Sequence, residues 1–240
     1  MLAAALFWRP LRAWWYLDVG NLAYVRGDRS TAAFDFSRGL ELEPGWHVLH
    51  EDHGRAVLDS DPALALEEFR TADCGQPCLA EAGDAESRLG RPQAAVNDYL
   101  AAHAVERVAA AADRLGREGR FDNAIALERA LAERLGGGML AEADLARSYY
   151  TIGVFDLQAA GADGARGKPL HEDAIRSFRR ASQLAPFNEG YLLSLGFAES
   201  SWGDRRSARA AFERVLDLHP HQADAERGLE RIGAVTPGAR

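Results

Sequence analysis

Two stretches of this chain, 176 residues apart, carry the same residues at the same offsets. YLDVGNLAYVRGDRSTAAFDFSRGLELEP occupies 16–44, and LLSLGFAESSWGDRRSARAAFERVLDLHP occupies 192–220. In register, Gly20 matches Gly196 and Gly27-Asp28 matches Gly203-Asp204. Ala32 matches Ala208, Phe36 matches Phe212, and Pro44 matches Pro220. Each stretch is an apolar run with helical spacing, a Gly-Asp break, a second helical run and a Pro stop, which reads as helix, turn, helix. Gly-Asp suits the break, because glycine ends one helix and aspartate begins the next. Glycine and alanine on the facing sides let two antiparallel helices approach closely, with the phenylalanine filling the space between repeats.

Further copies lie between these two. Gly54, Ala65, Phe69, Ala72 and Pro77 mark a second. Gly83, Gly90, Ala95, Tyr99 and Ala102 mark a third, and Gly119, Phe121, Ala124 and Leu131 a fourth. Ala174, Phe178, Ala181 and Pro186 mark the second helix of a fifth. Ala32 to Ala65 spans 33 residues and Ala174 to Ala208 spans 34. A period near 34 with this pattern resembles the tetratricopeptide repeat family over about residues 13–220. The resemblance implies an all-α, right-handed superhelical solenoid of antiparallel helix pairs, with about six repeats and a C-terminal capping helix. One helix pair cannot bury its own apolar face, so stacked neighbours must build a continuous core.

The copies divide the chain. An apolar segment, 1–12, precedes repeats one to four at 13–135. Gly136, Gly137 and Gly138 form a candidate hinge before repeats five and six at 139–220. The stretch AGADGARGKP at 160–169 predicts a loop inserted between the helices of repeat five. Residues 221–234 predict the capping helix, and 235–240 a disordered tail. The middle spacings shrink to 30 and 29 residues, and no glycine or proline falls between Gln93 and Leu115. The second helix of repeat three therefore turns tightly into the next helix or continues as one bent helix.

The net charge of -8 and the absence of a dense basic run argue against a nucleic-acid partner. MLAAALFW at the N-terminus is too short to span a bilayer and is followed, not preceded, by Arg9 and Arg12. It reads either as a cap, with Leu6, Phe7 and Trp8 on the first repeat, or as the end of a membrane anchor with the arginines at the lipid boundary. Trp14, Trp15 and Tyr16 read as packing for the first helix pair, with one tryptophan facing outward as a binding anchor. Cys74 and Cys78 fit neither a four-ligand zinc site nor a C-x-x-C redox motif. They are a candidate disulfide, which would imply an oxidising compartment, or two free thiols at a turn.

No nucleophile elbow, phosphate-binding loop or H-E-x-x-H motif is present. The reading is of a protein that is not an enzyme and needs no cofactor. One constellation invites metal chemistry. His47, His50 and His53 recur every third residue and share one side of a helix. The alternative is that they are hydrogen-bonded within a degenerate repeat.

The resemblance implies a concave groove lined by first helices, where members of the family hold peptides or partner proteins. Carried over position by position, the groove comprises Leu17, Asn21, Tyr24, Glu51, Arg55, Leu58, Asp84, Asp113, Arg117 and Phe197, with Ala80, Ser87, Ala109, Leu193 and Ser200 beside them. Leu17 stands where a carboxylate clamp for chaperone tails would need a lysine, so that specialisation is not expected. The expected function is a non-catalytic scaffold or adaptor for a protein or peptide. The alternative is the soluble portion of a membrane-associated envelope or polysaccharide assembly system. The bias to arginine, with Lys168 the sole lysine, points to a bacterial source, and the compartment is cytoplasmic or membrane-associated and periplasmic.

Overall fold

A computed structural model describes residues 2–135, 142–162 and 164–234. Among them are thirteen helices and no strand. The chain divides into two compact units, one running to Ala111 and one starting at Ala112. The first holds α1 (Leu2–Val25), α2 (Arg29–Leu42), α3 (His47–Val57), α4 (Pro62–Ala72), α5 (Gln76–Arg88) and α6 (Pro92–Ala101). The division falls inside α7 (Glu106–Arg117). The second unit continues with α8 (Phe121–Leu135), α9 (Glu142–Ala162), α10 (Gly167–Leu184), α11 (Glu189–Trp202), α12 (Arg205–Leu218) and α13 (Ala223–Ala234).

The repeated Gly-Asp does what its chemistry dictates. Gly27 and Gly203 take the left-handed backbone, φ 82° and 97°, that ends a first helix, and a side chain there would be strained. Asp28 and Asp204 then cap the second helices, accepting from the backbone N–H of Thr31 and Ser207. Asp61 caps α4 in the same way, followed by Pro62 in the first turn. The glycines on the first helices make room for rings. A Cβ on Gly20 would lie 2.6 Å from Phe36, and on Gly54, Gly83, Gly153 and Gly196 it would lie 2.7 Å from Phe69, Tyr99, Phe178 and Phe212. All five rings are buried. Each removes enough apolar surface from water to contribute about 2–3 kcal/mol.

Two expectations about organisation change, one is resolved between its alternatives, and one falls outside the described residues. The 1–12 segment is no separate piece, because α1 runs unbroken from Leu2 to Val25 through Pro10. Arg9 ties this end down by donating to the Leu42 carbonyl, 2.9 Å away, at the C-terminus of α2. The 160–169 stretch mostly extends its flanking helices. The alanines carry α9 to Ala162, and α10 starts at Gly167 with Pro169 in its first turn, where the missing N–H costs nothing. Between α6 and α7 the chain turns tightly at His103, whose φ is 54°. The units divide within α7, whereas the glycine run 136–138 expected as a hinge lies outside the described residues, as does the 235–240 tail.

Repeat four departs most. Counting four residues from the packed alanine gives the ring in every other copy, but from Ala124 it gives Glu128. Gly119 is the turn glycine, with φ 73°, and the packing glycine is Gly116. The ring against Gly116 comes from α9. Phe155 stands 2.4 Å from where its Cβ would be.

Candidate functional site

In the first unit, several of the positions expected to line a groove, with their neighbours, form a ribbon of charge across successive first helices. Arg55 of α3 donates to Glu81 of α5 at 2.6 Å and to Asp52 at 3.2 Å, and it also pairs with Glu51. Asn21 of α1 lies against Asp52 and favours its ionised form, though burial, the larger effect, raises that carboxyl above its ordinary pKa. Burial likewise raises Glu81, against the pull of Arg55. Asp84 accepts from the Tyr99 hydroxyl at 2.7 Å and from Arg107 at 3.1 Å. Arg55 is therefore engaged by three carboxylates of its own protein. Tyr24 lies under the Arg29 guanidinium, 5.7 Å from ring centre.

Several expected groove residues lie elsewhere. Leu17 is 6% exposed and packs in the core with Ala13, Ala32 and Phe36. Leu58 packs against the next core, around Val57 and Phe69. Ala80 and Ser87 are buried. In the second unit Asp113 and Arg117 are exposed on α7. Trp14 and Trp15 are both exposed, so the outward-facing tryptophan is not single. Cys74 and Cys78 are joined, with sulfurs 2.02 Å apart, and clamp the turn from α4 into α5.

The three histidines do not converge on a common point. His47 donates through Nδ1 to the Ala72 carbonyl at 2.8 Å, at the end of α4. His50 donates through Nε2 to the Pro44 carbonyl at 2.8 Å, and its Nδ1 faces Glu68. His53 places Nδ1 2.7 Å from the other oxygen of Glu68. Burial raises the Glu68 carboxyl, but the two imidazoles outweigh it and hold the group below the ordinary range. The histidines thus bind α4 to α3 and anchor the chain after α2. Among the described residues no group of histidine, cysteine and carboxylate side chains is arranged to hold a metal.

The second unit contains an open cleft of about 580 Å³. Val154 and Leu157 of α9, Phe178 of α10, and Phe197 and Ala198 of α11 give it an apolar lining. Gln158, Ser194, Ser200, Ser201 and Arg231 add polar groups. Phe197 is held edge-on to the buried Phe212, 5.0 Å between centres, yet remains 37% exposed. The ring is fixed and still available, which suits a binding surface.

Sequence reasoning reached Phe197 and Ser200 in this cleft and missed the rest. Val154 and Leu157 precede the Ala174–Phe178 signature, where no first-helix glycine had been matched. The signal was Gly153, which stands 25 residues before Phe178 and packs on it. Arg231 belongs to α13, expected only as a solvating cap. In the first unit Asp52, Glu81 and Arg107 were missed because each lies beside, not on, a carried-over position.

No protein-family model matches the sequence, and no curated protein matches it. Solved structures do align. A crystal structure of MamA is 18% identical with a TM-score of 0.38, covering 94% of this chain and 98% of that one. YrrB, described as a TPR protein with an unusual peptide-binding site, is 12% identical with a TM-score of 0.38 and 90% coverage of both chains. The TPR domain of P58(IPK) is 14% identical with a TM-score of 0.42, covering 92% of this chain and 64% of that one. These are likenesses of fold. The chain's own helix pairs, built from close-packed first and second helices, define an all-α repeat scaffold. Its repeating unit sets a glycine on one helix against a ring from the other, the arrangement expected from the sequence resemblance to the tetratricopeptide repeat.

Proposed function

We propose that the chain is a non-catalytic adaptor and that the cleft of the second unit holds an extended segment of a partner protein. One observation carries this reading: the fixed, exposed Phe197 over an apolar cleft of about 580 Å³ with Arg231 among its lining residues. That volume lies within the range of ligand pockets. An apolar or aromatic side chain fits its lining. Arg231 favours an acidic residue or a terminal carboxylate beside it. The serines and Gln158 can hydrogen-bond a peptide backbone.

Selection from a displayed peptide library, followed by calorimetry on the enriched sequences, tests this. The expected motif pairs an apolar anchor with a carboxylate, and Phe197→Glu abolishes binding while Arg231→Glu weakens it. Circular dichroism checks that each variant keeps its helices. Absence of enrichment, or equal binding by Phe197→Glu, overturns the reading. A second reading, the soluble portion of a membrane-associated envelope or polysaccharide assembly system, is favoured by a different observation, the exposed tryptophans of α1.

A further inference from the structure

The outer face of α1 carries an apolar stripe. Trp8, Leu11 and Trp15 are 62%, 65% and 57% exposed and follow one another along the side turned away from Ala13, Leu17 and Gly20. The sixth copy shows what this face is in the interior of a unit. Trp15 corresponds to Tyr191, which stacks on Tyr150 of the preceding helix pair at 4.8 Å. Leu22, half-exposed, corresponds to the buried Ala198. Among the described residues, the corresponding face of the first copy is exposed.

We propose that residues 8–15 of α1 seat this unit on an anionic lipid surface, with the helix lying along the interface. This inference rests on the second reading above and is independent of the cleft. The chemistry favours lipid over a second copy of the chain. Two of the three exposed residues are tryptophans, whose rings combine an apolar body with a polar N–H and suit the headgroup boundary. Arg12, also exposed, lies one turn from both Trp8 and Trp15 and can meet a phosphate. The run from Leu2 to Trp8 carries no charge. Self-pairing would continue the apolar seam through position 18, where Asp18 stands, and would bury a carboxylate. A lipid surface needs only the two turns that end at Trp15. No described helix is long and apolar enough to cross a membrane.

The full chain is mixed with vesicles of phosphatidylcholine, alone or with phosphatidylglycerol, and sedimented. Binding and a blue shift of tryptophan emission are expected with the anionic vesicles, weakening as salt is raised. The combined exposed substitutions Trp8→Ser, Leu11→Ser and Trp15→Ser should reduce binding about tenfold or more. Arg12→Glu should weaken the anionic case selectively, and Phe197→Glu should bind vesicles normally. Light scattering runs in parallel. The proposal is overturned if the chain ignores both vesicle types, if the triple variant binds undiminished, or if the chain is a dimer that the triple variant makes monomeric. Since Phe197 is absent from the vesicle contact, loss of lipid binding and loss of peptide binding are read separately.

Discussion

At the scale of single residues, the contacts between glycines and rings give the sharpest expectations. Gly54→Ala places a methyl 2.7 Å from the Phe69 ring, with no room for either to retreat in a filled core. It should cost about 1–3 kcal/mol in urea unfolding. Asp156 tests the opposite case. It is wholly buried in α9, and neither carboxylate oxygen has a hydrogen-bond partner among the described residues. Burial raises it to about 6, although Arg129 and Arg176 pull the other way and Asp122 adds to the rise. A carboxyl raised on folding stabilises the native state only while protonated. Its penalty is absent near its unfolded value of 3.8 and complete above about 6. Asp156→Asn should therefore stabilise the second unit by about 2 kcal/mol at neutral pH, a gain that vanishes toward pH 4. Equal gains at both pH values would refute this assignment.

At the scale of elements, the boundaries set by glycine and aspartate were legible because they depend on local backbone chemistry. Gly27-Asp28 and Gly203-Asp204 announce a left-handed turn and a cap wherever they occur. Repeat four was less legible. The residues that mark it, Gly119, Phe121, Ala124 and Leu131, do not include the packing glycine Gly116, and a glutamate at the ring position hides the register. The substitute ring, Phe155, comes from the following repeat, and no pattern confined to one repeat can reveal it. The groove was harder still. Leu17 occupies a nominal groove position but is swallowed by the core beside Phe36, a matter of helix rotation that spacing does not carry. The turn between α4 and α5 offers a further test. Asp73 and Gly75 both have positive φ, and the disulfide, starting just after Asp73, closes a short loop that contains Gly75. Replacing both cysteines by serine should destabilise the first unit by no more than about 2 kcal/mol, because a loop this short restricts the unfolded chain little. Mass spectrometry after alkylation without reductant should find neither thiol modified.

At the scale of the whole molecule, burial raises carboxyls in both units, Asp52 and Glu81 in the first, but the two pushed furthest lie in the second. Glu128 and Asp156, both raised to about 6 chiefly by burial, belong to the second. Ser148 and Arg147 lower Glu128 and Asp113 raises it, without reversing the effect of burial. In the first unit Glu68 is depressed by its histidines, so its contribution is present above its unfolded value of 4.5 and is lost only in stronger acid. Hydrogen exchange, corrected for intrinsic rates, should show α8 and α9 becoming better protected from pH 8 to pH 5. The helices α3 and α4 should gain less. The reverse order would contradict the assignment of the buried carboxyls.

Arrays of helix pairs invite editing by whole cassettes, and most pairs of this chain bring their own glycine and their own ring. The loan of Phe155 to Gly116 breaks that independence. Deleting repeat four would strand a phenylalanine, and deleting repeat five would open a void beside a glycine. Duplicating either alone would leave one partner short. For anyone shortening, lengthening or transplanting this chain, repeats four and five are a single indivisible part.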